Sequence, residues 1–94
     1  MKRLIYRIAK PGNDGQEVAG WVEDWQGLML GYDKRRAGLW YCTEVSTGYL
    51  IPTPGLQQTR EACVEAAHAA ITKRGVAAVR TLRDQALARQ CART

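Results

Sequence analysis

The chain contains no phenylalanine, a single histidine (His68), and three cysteines, Cys42, Cys63 and Cys91, that are odd in number and widely spaced. That cysteine pattern offers no disulfide framework and no C-x-x-C pair. One histidine cannot complete a zinc site with them, so no metal or other cofactor is expected, and the thiols read as structural. No apolar run approaches the roughly 20 residues needed to span a bilayer. The start, Met1-Lys2-Arg3-Leu4-Ile5-Tyr6-Arg7, is basic but has no sustained apolar stretch behind it, so it does not read as a signal peptide. A cytoplasmic protein with no membrane partner is the expectation. The nine glycines form neither G-x-G-x-x-G nor G-x-x-x-x-G-K-[ST], which excludes the common phosphate loops. Repeats, low-complexity tracts and linker-like segments are also missing.

What remains is ordinary globular composition, 46% apolar and 24% charged, over 94 residues, which is room for a single domain, 1–94. A strand is expected from about Arg3 to Ala9, where Leu4, Tyr6 and Ile8 alternate with Arg3, Ile5 and Arg7. Lys10-Pro11-Gly12-Asn13-Asp14-Gly15 ends it. Val18, Trp21, Val22 and Trp25 then recur at helical spacing, with Asp14 and Glu17 placed as a capping pair and Gly27 as a stop. This favours a short helix near residues 15–26. Gly20 in its middle opposes that, and a strand through Glu17–Val22 paired with the first is the alternative.

Strands are expected at Leu28–Tyr32, Leu39–Val45 and Tyr49–Ile51, the last two joined by Ser46-Thr47-Gly48 as a hairpin. Pro52-Thr53-Pro54-Gly55 breaks regular structure. Thr59 then caps a helix whose inward stripe is Cys63, Ala66, Ala67, Ala70 and Ile71 and whose end is Lys73-Arg74-Gly75. A second helix runs from about Val76 to Cys91, with Val79, Leu82, Ala86 and Leu87 inward. The expected class is α+β: a small antiparallel sheet of three to four strands with two C-terminal helices on one face.

The net charge of +5 is unevenly placed. Residues 1–72 hold eight basic and eight acidic side chains, whereas residues 73–94 hold Lys73, Arg74, Arg80, Arg83, Arg89 and Arg93 against Asp84 alone. Arg80 and Arg83 are three apart on a helix, on a face that leads towards Arg74. Arginine suits phosphate because its planar fork donates two hydrogen bonds at once. Lys34-Arg35-Arg36, on a turn between strands, is a second basic feature. The bland explanation is a solvated helix whose terminal cations complement its dipole. Among the aromatics, Trp40 and Tyr41 are neighbours on a strand and point to opposite faces. One of those rings faces the open side of the sheet, beside Arg3 or Arg7, with Trp40 the candidate contact for a stacked base.

Catalytic constellations are weak. Cys63 and His68 diverge on one helix, and Cys42 meets His68 only through tertiary folding. Glu23/Asp24 and Glu61/Glu65 are ordinary solvated carboxylates, with His68 three residues beyond Glu65 on the same surface.

The stretch Trp40-Tyr41-Cys42-Thr43-Glu44-Val45-Ser46-Thr47-Gly48-Tyr49-Leu50-Ile51, followed by Thr59-Arg60-Glu61-Ala62, resembles small phage and mobile-element proteins. The resemblance covers about a quarter of the chain and implies a phage-type accessory protein; it transfers no functional residues. Anti-CRISPR proteins are similar in size and in lacking catalytic apparatus. Three readings follow. The first is a non-catalytic module that engages nucleic acid, or a nucleic-acid-handling complex, through Arg74, Arg80 and Arg83 with Lys34, Arg35 and Arg36. The second is a protein inhibitor or adaptor whose partner is an acidic host protein. The third is an enzyme of unrecognised type. A homo-oligomer is compatible with each.

Overall fold

A computed structural model describes residues 1–9 and 15–92. The Asp14 cap, most of the turn after the first strand, and Arg93 lie outside the described residues. The described elements are β1 (Lys2–Ile8), β2 (Gln16–Trp25), β3 (Leu28–Lys34), a 3₁₀ turn at Arg36–Gly38, β4 (Trp40–Glu44), β5 (Tyr49–Ile51), α1 (Arg60–Arg74) and α2 (Val76–Ala92). The strands form one antiparallel meander in sequence order, β1-β2-β3-β4-β5.

The sheet thus has five strands rather than three or four, and the additional one is the segment expected as a helix. Residues 16–25 form β2, paired with β1 from Lys2↔Val22 to Ile8↔Gln16 and with β3 from Trp21↔Tyr32 to Trp25↔Leu28. The spacing was ambiguous for a physical reason. Val18/Val22 and Trp21/Trp25 are four apart, which is one helical turn and also two strand repeats. In the strand they separate: Val18 and Val22 face away from the helices, while Trp21 and Trp25 face towards them. Gly20 decides the matter, because a Cβ there would meet the Tyr32 carbonyl oxygen at 2.5 Å and the Tyr6 hydroxyl at 2.6 Å. The strand needs the glycine that a helix would resist. Gly27 ends no helix; with Gln26 it forms a two-residue hairpin turn, both residues at positive φ (54° and 77°).

Elsewhere the expected elements stand with shifted ends. β3 continues two residues beyond Tyr32, and β4 occupies Trp40–Glu44 of the expected Leu39–Val45. The hairpin to β5 is held by the buried Glu44 carboxylate, which accepts from the Ser46 and Thr47 amides and both hydroxyls. Thr59 Oγ1 accepts from the Ala62 amide as the N-cap of α1, and the Gly75 amide closes the other end on Ile71 and Thr72.

Both helices lie on one face of the sheet. Cys63, Ala67 and Ile71 of α1 pack on Leu28, Leu30, Tyr32 and Cys42, with Val76 and Val79 at the margin. A second cluster, Tyr6, Ile8 and Val22 with Val18 and Val45, forms on the opposite face. It exists because the β1–β2 ribbon folds across that face. The first half of β2 pairs with β1 alone, Gly20 sits at the bend, and the Ala9 amide reaches the Gly48 carbonyl at 2.7 Å. Leu4, expected inward, is 46% exposed. Leu82 of α2, also expected inward, is 45% exposed.

Candidate anion-binding groove

At its C-terminal end, β3 brings Asp33 onto the face without helices, where only 3% of the residue is exposed. A carboxylate so placed requires partners. Tyr6 Oη donates to Oδ1 at 2.9 Å, Arg35 Nε donates to Oδ2 at 2.6 Å, and Arg35 Nη2 adds a longer bond at 3.3 Å. The same Nη2 donates to Thr43 Oγ1 at 3.2 Å, and the guanidinium carbon lies 4.7 Å from the Tyr41 ring centroid. Burial, together with the neighbouring Asp33 carboxylate, raises the Tyr6 phenol well above its ordinary range, so it remains a donor. Arg35 is therefore a cation of fixed orientation, held on three sides.

Its neighbours are not held. Lys34 and Arg36 are exposed and enter no ion pair among the described residues. With Arg35, Tyr41 and Gln16 they line a groove of about 680 Å³ between the β1–β2 ribbon and the β3–β4 connection. Among the described residues, three cations against the carboxylate of Asp33 leave two positive charges in excess at its wall. Such a wall attracts anions and offers a guanidinium already oriented for them.

The described basic residues of the C-terminal segment lie elsewhere: Arg80 and Arg83 meet at Gly27, Arg83 and Arg74 line one cleft, and Arg89 stands apart. α2 turns Val79, Arg83, Ala86 and Gln90 towards the body of the protein. Arg83 is consequently spent on structure: Nη1 donates to the Gly27 carbonyl at 2.6 Å and Nε to Asp84 at 3.0 Å. Arg80 packs beside the same turn, its Nε 3.4 Å from where a Cβ on Gly27 would stand. Arg80 and Arg89 occupy opposite flanks of the helix, at about 100° per residue. Arg74 borders an apolar cleft formed by β5, the end of α1 and the start of α2. Gly27 precedes β3 and Lys34 ends it, so the two basic groups are about 20 Å apart along that strand. Both groups converge: Lys34, Arg35 and Arg36 on the groove, and Arg83 with Arg80 at Gly27 and with Arg74 in the apolar cleft.

Trp40 is not the ring on the open side. It packs half-buried on the helix-side core, and its amide is bonded to the Gln57 carbonyl. Tyr41 is the ring on the other face, beside Arg35 rather than Arg3 or Arg7. Arg3 and Arg60 instead flank Trp21, at 5.9 and 4.7 Å.

His68 turns away from Glu65 and meets Glu23, which also accepts from Tyr32 Oη at 2.6 Å; the imidazole stacks on Trp25 at 4.1 Å. This ties α1 to β2 and β3. Burial pushes the Cys42 thiol far up and raises Cys63 to about 11, so neither supplies a thiolate near neutral pH. Among the described residues no cluster of three or more His, Cys, Asp or Glu could hold a metal ion. No helix among them is long and apolar enough to cross a membrane.

The Tyr6–Asp33–Arg35–Thr43 network escaped the sequence reading. Its local signal was Asp33 and Arg35, two apart at a strand end and hence on one face. The partners Tyr6 and Thr43 required the strand register. Comparison with known proteins adds no identification: no family model, curated protein or solved structure matches the chain.

Proposed function

We propose that this protein is a non-catalytic binding module that engages nucleic acid, or a complex that handles it, by seating phosphate groups in the groove of Lys34, Arg35 and Arg36. The supporting observation is the pairing of one immobilised guanidinium with two cations that have no ion-pair partner among the described residues, in a concave wall beside Tyr41. Phosphate contacts would supply affinity and Tyr41 an edge for packing against a sugar or base. Arg74 and Arg80 form a separate basic surface and act as secondary contacts in this reading. Arg83 is assigned to the fold.

The test is titration of fluorescent single-stranded DNA, duplex DNA and RNA of mixed sequence at low salt, with wild type and a Lys34→Ala/Arg36→Ala variant. Binding in the 10⁻⁴–10⁻⁶ M range, order of magnitude, that weakens steeply with salt and is lost in the variant supports the proposal. Absence of binding to all three at low salt, or equal binding by the variant, removes it. An acidic protein partner, the inhibitor reading, would leave the first result negative.

A further inference from the structure

We infer that the apolar cleft between β5, the end of α1 and the start of α2 binds a small apolar acid, with Arg74 taking its carboxylate. The cleft lies on the helix side of the sheet, so the inference is independent of the nucleic-acid groove on the other face. Its volume is about 300 Å³, at the small end of the range for small-molecule sites. β5 contributes Leu50 and Ile51 to its lining, α1 contributes Ile71, and α2 contributes Val79 and Leu82. Leu50 is 49% exposed and Leu82 45%, so both keep apolar surface that an occupant would withdraw from water. Two polar bonds fix α2 beside the cleft, from Arg83 to the Gly27 carbonyl and from Gln90 to the Thr47 carbonyl. The recess is thus preformed, and little ordering is left for a ligand to impose.

The charge at the cleft selects the sign of its occupant. Among the described residues, its charged lining is Arg74, Arg83 and Glu44. The Glu44 carboxylate is buried and spent on Ser46 and Thr47 of the hairpin. Arg83 is bonded to the Gly27 carbonyl and to Asp84. Arg74 is exposed and enters no ion pair among the described residues. A cation suits the end of α1 in any case, but Lys73 serves that purpose equally, and of the two it is Arg74 that lines the cleft. A guanidinium donates two parallel hydrogen bonds to a carboxylate, so an apolar acid satisfies the cation and the leucines together. Inorganic phosphate has nothing to set against Leu50 and Leu82. A cationic amphiphile meets repulsion from Arg74 and Arg83.

Isothermal titration of the full chain with sodium decanoate, kept below its micelle concentration, tests this. The expected result is saturable binding of one decanoate per chain, with decyltrimethylammonium failing to bind under the same conditions. Arg74→Glu should weaken decanoate binding by about tenfold or more and admit the cationic amphiphile. Arg89→Glu makes the same change of net charge on α2 away from the cleft and should leave decanoate binding unchanged. Leu82→Asp removes apolar wall and adds a repelling charge. It should also weaken decanoate, and it replaces Arg74→Glu if that variant proves poorly folded by circular dichroism. No saturable binding to the wild type, or equal binding of both amphiphiles, overturns the inference. So does a decanoate affinity that survives Arg74→Glu and Leu82→Asp, or that falls equally with Arg89→Glu.

Discussion

Tyr6 Oη donates to the Asp33 carboxylate over 2.9 Å, joining the first strand to the end of the third across the face that carries no helix. Tyr6→Phe keeps the ring and removes only that donor, leaving Asp33 to Arg35. A loss of about 1–2 kcal/mol is expected in urea unfolding. Arg35→Ala strips the buried carboxylate of its charge partner and should cost more, about 3 kcal/mol. Equal or negligible losses would mean that the network does not hold the ribbon down.

The Tyr6 ring fits because Gly31 has no side chain. A Cβ at Gly31 would lie 2.6 Å from Tyr6 Cζ, and its backbone needs no positive φ, so Gly31→Ala is a purely steric insertion. It should destabilise by about 1–3 kcal/mol. In a Tyr6→Leu background the same substitution should cost distinctly less, because the ring it strikes is gone. Additive losses in the double-mutant cycle would show that the clash lies elsewhere.

Cations at the two ends of β3 should behave differently. Arg36→Ala removes an exposed charge at the groove and should reduce nucleic-acid affinity and lower the salt slope by about one, with little change in unfolding. Arg83→Ala removes the bonds to Gly27 and Asp84 and should lower stability with little effect on affinity. The paired measurement of melting and binding separates the roles. A reversed pattern would return the contact to α2.

The elements whose signals are local were readable from the chain alone. Thr59 as N-cap, Gly75 as C-cap and Tyr49–Ile51 as a strand each depend on a few neighbouring residues. The Cys63/Ala67/Ile71 stripe of α1 likewise follows from spacing. β2 was legible only as the alternative to a helix, a strand through Glu17–Val22 paired with the first, because its tryptophans and valines satisfy both periods and Gly20 acquires meaning only once Tyr6 lies on it. The groove was half visible. Lys34-Arg35-Arg36 stood out as charge, but that Arg35 would be fixed by Asp33 while its neighbours enter no ion pair among the described residues depends on register. The arginines of α2 were legible as neighbours, and Arg80 and Arg83 do meet at Gly27, but helical spacing does not say that Arg83 faces the body of the protein.

The buried thiols and phenols give a last expectation, for alkaline solution. Burial raises Cys63 from an ordinary value of 9.0 to about 11 and moves Cys42, Tyr6 and Tyr32 up as well. In the window between the unfolded and folded values, the unfolded chain has released protons that the folded chain retains. Stability is therefore intact below about pH 9 and falls as pH rises towards 11 and beyond. Thermal melts in that range should drop progressively, and Cys63→Ala should flatten the lower part of the decline. The same burial predicts selective chemistry near neutral pH. A thiol reagent should label the exposed Cys91 in the folded protein and reach Cys42 and Cys63 only after denaturant is added. Labelling of all three at equal rates without denaturant would contradict a core built on Cys42 and Cys63.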